Sequence, residues 1–162
     1  MKGTYFIATI FIFIFICSLL IACAAFQSNS AGPGNDAKLI TPRNLTDITG
    51  IEWNLMQMTK DHEAIALVQD SKTTFTCDQD GKVSGKATIN RYSGNLKLQD
   101  DGEIIWSKAF IMTRMAGPPE LMEQEQNFTR SLMQTTRMYL KDSHLVLKNQ
   151  DSSTILEFEP VN

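Results

Sequence analysis

From Ile48 onward apolar residues recur at every second position, in short runs separated by turn residues. That period constrains the fold more than any other feature, because successive side chains of a strand point to opposite faces of a sheet. GIEWNLMQ sets Ile51, Trp53 and Leu55 on one face, EAIALV sets Ile65 with Leu67, and TTFTC pairs Phe75 with Cys77. KVSGKATI aligns Val83, Gly85, Ala87 and Ile89, and GNLKLQ turns Leu96 and Leu98 inward while Asn95, Lys97 and Gln99 face out. HLVLK and TILEFE repeat the pattern with Leu145, Leu147, Leu156 and Phe158. Between them, DQDG at Asp78, QDDG at Gln99 and KDS at Lys141 have the residue types of hairpin turns. DQDG lacks the rest of a calcium-loop pattern. The segment EIIWSKAFIMTRM puts Trp106, Phe110 and Met112 on one face and Ile105, Ala109 and Ile111 on the other. It fits either a strand covered on both sides or a strand with a bulge.

One segment breaks the period. GPPELMEQEQNFTRSLMQ opens with Pro118 and Pro119, which suit a helix start. Glu120 and Glu123 complement the dipole of its first turns. Leu121, Phe128 and Leu132 fall on one helical stripe, and Glu125 falls on that same stripe. The expectation is a mostly-β fold: a curved antiparallel sheet or cracked small barrel of about eight strands, with one helix packed against it.

The start of the chain reads differently. Lys2 precedes an almost wholly apolar run from Tyr5 to Ala22, and LIAC follows at Leu20 to Cys23. An apolar h-region ending in small residues marks a secretory signal, and LIAC resembles the bacterial lipobox, in which the cysteine is acylated. A transmembrane anchor is the competing reading, since the run is close to the roughly 20 residues that cross a bilayer. It leaves Cys17 and Cys23 without a purpose. The expected organisation is a lipoprotein signal peptide over 1–22, a lipidated Cys23 with a flexible tether over 23–45, and one folded domain over 46–162. The tether is rich in Gly, Ser, Asn and Ala and has little to bury. GPGNDA within it matches a dinucleotide fingerprint, without the flanking strand and helix that the fingerprint needs.

Loss of Lys2 with the signal takes the formal charge from −3 to −4. That balance speaks against nucleic acid and against a polybasic membrane patch. Lipid on Cys23 is then the expected link to a membrane, stable with two or more acyl chains. Cys17 leaves with the signal and Cys23 carries lipid, so Cys77 stands alone. No disulfide or multi-cysteine metal site forms in the mature domain. The alternation predicts a buried Cys77 that acts as a small hydrophobe. His62 and His144 lack metal-ligand spacing, and no G-x-S-x-G elbow is present. No catalytic residue, metal or cofactor is therefore assigned.

The stretch NRYSG, Asn90 to Gly94, lies between two apolar runs. Asn90 and Gly94 read as backbone chemistry, a turn residue and a source of positive φ, with Arg91 and Tyr92 as the exposed or snorkelling contacts. From Thr74 to Phe158 the chain resembles the META domain, also called HslJ-like. The matching parts are TFTCDQDGKVSGKATINRYSGNLKL, TRMAGPPELMEQEQNF and LKDSHLVLKNQDSSTILEF, with IEWNL upstream. The resemblance covers about 110 residues. It implies a curved or cracked barrel with one helix, a cell-envelope setting and frequent lipidation, with no established enzymatic activity. It also implies roles in heat shock, antibiotic tolerance and, in parasites, motility and virulence. Similarity in shape to secretin-pilot lipoproteins, which hold acyl chains, belongs to the same family picture. Asn90, Gly94, Thr113, Arg114, Glu125 and Phe128 match its motif residues. Many members carry Gly-Cys before the Asn and a second Cys after TRMA; here Thr88-Ile89 and Gly117 stand there. Loss of both cysteines fits a family disulfide replaced by apolar packing at Ile89.

Two function classes follow: an envelope stress or assembly lipoprotein working by protein contact, and a carrier or sensor of an acyl chain or other apolar ligand. The methionines suit either, as adaptable thioethers. Outer membrane, facing the periplasm, is the expected location, since Ala24 is not the aspartate of an inner-membrane retention signal. Glu125 needs a partner or a proton if buried. Arg114 is the first candidate, with Thr113 and Arg91 as the others.

Overall fold

The structure, a computed structural model, describes residues 37–161. The expected signal peptide and Cys23 lie outside the described residues.

Eleven antiparallel strands form one sheet that does not close into a barrel, with one α-helix against it. In chain order the strands are β1 (Lys38–Leu39), β2 (Trp53–Lys60), β3 (Glu63–Ile65), β4 (Thr74–Cys77), β5 (Lys82–Lys86), β6 (Arg91–Leu98), β7 (Ile104–Trp106) and β8 (Ile111–Met112), then β9 (Arg137–Lys141), β10 (His144–Lys148) and β11 (Ile155–Pro160). The helix α1 spans Pro119–Gln134, between β8 and β9. The sheet order is β1-β9-β10-β11-β2-β4-β5-β6-β7, with β3 also on β2 and β8 also on β6. The end strand β7 comes against the residues just before β9 at a seam without a ladder. There Ile104 N donates to Thr136 O at 2.8 Å, and Trp106 Nε1 donates to Thr135 O at 2.9 Å. The cracked sheet expected from the alternation is present.

Three strands raise the count from about eight to eleven. One is β9. Another comes from the bulge reading of EIIWSKAFIMTRM: β7 pairs with Leu96–Leu98, β8 pairs with Tyr92–Ser93, and residues 107–110 bow out between them. Both alternating faces survive, with Trp106, Phe110 and Met112 turned to the core and Ile105 and Ile111 exposed. The third is β1, which corrects the tether expected over 23–45. Residues 38–45 are folded: β1 pairs with β9, Ile40 is fully buried, and Leu45 is buried in a one-turn 3-10 helix. An isolated apolar residue in a polar stretch carries no period, so alternation did not reveal them.

The hairpin turns work as their residue types imply. Asp78 Oδ1 accepts from Asp80 N and Lys82 N, at 3.0 and 2.8 Å. Asp142 and Ser143 both take positive φ, 48° and 66°, between β9 and β10. One irregularity lies in the centre, where Glu157 pairs with Gln57 and Phe158 with Leu55, so Met56 bulges outward.

The core lies between the concave face of the sheet and α1. Phe128 of α1 meets Phe158 edge-on at 6.4 Å and Tyr92 at 5.8 Å, and Phe75 lies 5.8 Å from Phe158. Trp53, Met58, Leu132, Met138, Leu145, Leu147 and Leu156 complete it. Pro119 stands in the first turn of α1, where a missing N–H costs nothing. At the other end Thr135 is extended, and its Oγ1 donates to Leu132 O at 2.8 Å.

Candidate functional site

The motif residues converge where α1 crosses the bend between β5 and β6. Residues Thr88 to Asn90 form that bend, closed by Ala87 N donating to Asn90 O at 2.7 Å. Glu125 projects from α1 into it and is 3 % exposed. Its Oε2 accepts from Ile89 N at 3.0 Å and Asn90 N at 2.6 Å, and its Oε1 accepts from Asn90 Nδ2 at 2.7 Å. Three N–H groups thus replace the water that the carboxylate lost on burial.

Asn90 carries the connection onward. Its Oδ1 accepts from Thr113 Oγ1 at 2.8 Å and Met115 N at 2.7 Å, while Nδ2 also donates to Met115 O at 3.2 Å. Arg91 N donates to Thr113 Oγ1 at 3.1 Å. One buried amide therefore joins helix, bend and the segment between β8 and the helix, with its donors and acceptors all used.

The neighbouring residue makes a second anchor. Gln124 Oε1 accepts from Val68 N at 2.6 Å, and Nε2 donates to Ser71 Oγ at 2.9 Å. Nε2 also reaches Thr73 Oγ1 and Thr88 Oγ1, at 3.3 and 3.2 Å, and those two hydroxyls lie 2.8 Å apart. This grip holds Thr88 at φ 102°, a conformation a β-branched residue rarely takes. Sequence reasoning missed Gln124, Thr73 and Thr88. The available signal was a second polar residue beside the apolar stripe of α1.

Several assignments change. Glu125 is partnered by Asn90 and the bend, not by Arg114, which is exposed. A backbone bend needs carboxylate oxygens more than a guanidinium does, because its free N–H groups have nowhere else to turn. Of NRYSG only Asn90 belongs to the turn; Arg91 to Gly94 are strand residues of β6. Tyr92 is core, 3 % exposed, with Oη donating to Thr74 O at 2.9 Å. Burial, with Cys77 close by, pushes its phenol upward. Gly94 does not have positive φ. A Cβ there would come within 2.9 Å of Phe110 Cδ2, so the glycine makes room for the ring that stacks on Tyr92 at 5.4 Å. Arg91 remains exposed. Phe128 is fully buried.

Gly117 lies against Ile89, and a Cβ there would overlap Ile89 Cδ1. The two positions where the resemblance placed cysteines are therefore neighbours, filled by one large side chain and one absent one. Cys77 points inward at 2 % exposure, and burial beside Asp78 pushes its thiol up to about 12.

A family model described as META domain matches residues 46–161. Among solved structures, one of a protein from Burkholderia xenovorans is 19 % identical with a TM-score of 0.63, covering 85 % of this chain and 97 % of its own. A DUF4847 family protein from Bacteroides vulgatus is 10 % identical with a TM-score of 0.51, covering 69 % and 93 %. No curated protein matches.

Proposed function

Because the chain belongs to the META domain family, we propose that it is a membrane-anchored bacterial envelope lipoprotein acting through protein contact, in envelope assembly or stress response, without catalysing a reaction. One observation carries the reading. Two of the family's polar motif residues, Glu125 and Asn90, are spent inward, buried with their polar atoms paired to one another, to Thr113 and to backbone. A carboxylate so enclosed holds the helix to the sheet and offers nothing to a substrate. The working surface is then the outside of the fold. LIAC supports the anchor, with Cys23 as the acylated residue and the outer membrane as its location in a cell that has one.

Acyl-chain labelling tests the anchor. Wild type should incorporate a palmitate analogue and yield a mature band, and Cys23→Ala should do neither. A mature, labelled band from that variant overturns the anchor. Cross-linking in intact envelopes tests the contact role, with a discrete protein adduct expected. The rival reading places an acyl chain or other apolar ligand within the curved sheet. Its space is filled by Trp53, Phe75, Phe128 and Phe158. Native mass spectrometry of the unacylated protein separates the two, since a retained lipid mass would favour the carrier.

A further inference from the structure

The acidic balance of the chain hides a strong segregation of charge. Between Lys82 and Leu98 stand four cations, Lys82, Lys86, Arg91 and Lys97, and no acid. The chain sums to −3, so everything else carries −7. The four cations lie on one hairpin, β5 and β6, and all four are exposed. Alternation explains why they share a face: Val83, Tyr92, Gly94 and Leu96 point inward, so the intervening positions point out. Lys86 and Arg91 sit directly opposite each other in the ladder. Like charges so placed repel, and no ion pair of either lies within the described residues. On the β6 side, β7 and β8 continue the face with apolar groups. Ile105 pairs with Lys97 and is 47 % exposed, and Ile111 pairs with Ser93 and is 69 % exposed.

We propose that this outer face of β5 to β8 docks on an anionic phospholipid surface, with the four cations over the headgroups and Ile105 and Ile111 at the interface. Charge complementarity selects the occupant. Flexible lysines spread along about 20 Å of strand suit a fluid array of phosphates better than one fixed anion. The outer side of a curved sheet meets a flat surface without needing a matching cavity. The proposal extends the membrane reading above, and departs from the expectation that an acidic chain lacks a basic membrane patch. It needs no acyl group, so the two fail separately.

The test uses the chain from Ala24 onward, made without signal or lipid, and sedimented with vesicles. Phosphatidylcholine vesicles containing about one third phosphatidylglycerol should retain it at low salt, and pure phosphatidylcholine should not. Each cation removed should weaken binding roughly five-fold, as a lysine near an anionic surface contributes. Lys86→Gln with Arg91→Gln should therefore lose more than ten-fold, and Ile111→Ser should weaken binding at unchanged charge. All three positions are solvent-facing, so the variants should melt like wild type. Equal retention on both vesicle types, or retention unaffected by the double substitution, overturns the proposal. So does binding to an acidic polypeptide with none to anionic vesicles.

Discussion

At the scale of single residues, Glu125 shows how a buried charge is tolerated. Among the described residues it has no cation; its three partners are N–H donors fixed by the bend and by Asn90. Glu125→Ala strands those donors, and a buried unsatisfied donor costs about 1–3 kcal/mol. A loss of at least 3 kcal/mol is the expected outcome in urea melts. Glu125→Gln keeps an oxygen toward Ile89 N and Asn90 N, but sets an amide N–H against Asn90 Nδ2. Asn90 cannot flip in answer, because its Oδ1 already accepts from Thr113 and Met115. The glutamine variant should therefore fall between wild type and alanine. A glutamine variant as stable as wild type would disprove this donor arrangement. Cys77 supplies a second residue-scale prediction. Its thiol is held neutral up to about 12. An acid whose folded pKa is raised contributes stability below its free value and loses it as pH climbs to the folded one. Stability should thus fall between about pH 9 and 12, less steeply in Cys77→Ala. At pH 7 a thiol reagent should label Cys77 slowly when folded and quickly in denaturant.

At the scale of elements, the helix is joined to the sheet by polar anchors on one side and apolar packing on the other. Ser131 is an exception, fully buried in α1 with its hydroxyl lacking a partner among the described residues. Ser131→Ala removes that unpaired hydroxyl and improves helix propensity, so thermal melts should show a gain of about 1 kcal/mol. The bend and the segment leading into α1 touch at Ile89 and Gly117. Cysteines at both positions fill the same space as a bond, so Ile89→Cys with Gly117→Cys should oxidise to an intramolecular disulfide. Persistence of both introduced thiols, beside that of Cys77, in the oxidised, folded double variant would show that the backbones do not meet as described.

At the scale of the whole molecule, the folded unit begins earlier than its repeating pattern. Ile40 and Leu45 are buried, and Lys38 reaches Asp47 at 2.6 Å. Full burial of one large aliphatic side chain contributes roughly 1.5–3 kcal/mol. A fragment over 37–162 should keep full stability, whereas one over 46–162 should lose several kcal/mol. Equal denaturant midpoints for the two would assign residues 37–45 no structural part. The same contacts cover the seam, since Leu39 and Ile40 back Gly102 at the turn before β7. The sheet thus ends in a covered edge, which limits pairing with another chain.

Sequence alone specified the mostly-β class, the inward set from Trp53 to Phe158, the hairpin turns and the position of α1. Each rests on a local rule: a period of two, a period of 3.6, or the backbone preferences of a turn residue. It also singled out Glu125, because a charge on an apolar stripe is visible in one dimension. Tertiary structure alone decided its partner. Arg114 is nearer in sequence, yet Asn90, thirty-five residues away, reaches the carboxylate because the bend before β6 lies beneath α1. Tyr92 and Gly94 were misplaced for a related reason: a five-residue polar motif looks like a turn until pairing with β5 makes four of its residues strand. Ile40 and Leu45 were missed because burial without periodicity depends on which distant surfaces close over a residue. The cationic face was hidden by summation, since net charge carries no direction and only strand register sorts Lys82, Lys86, Arg91 and Lys97 onto one side.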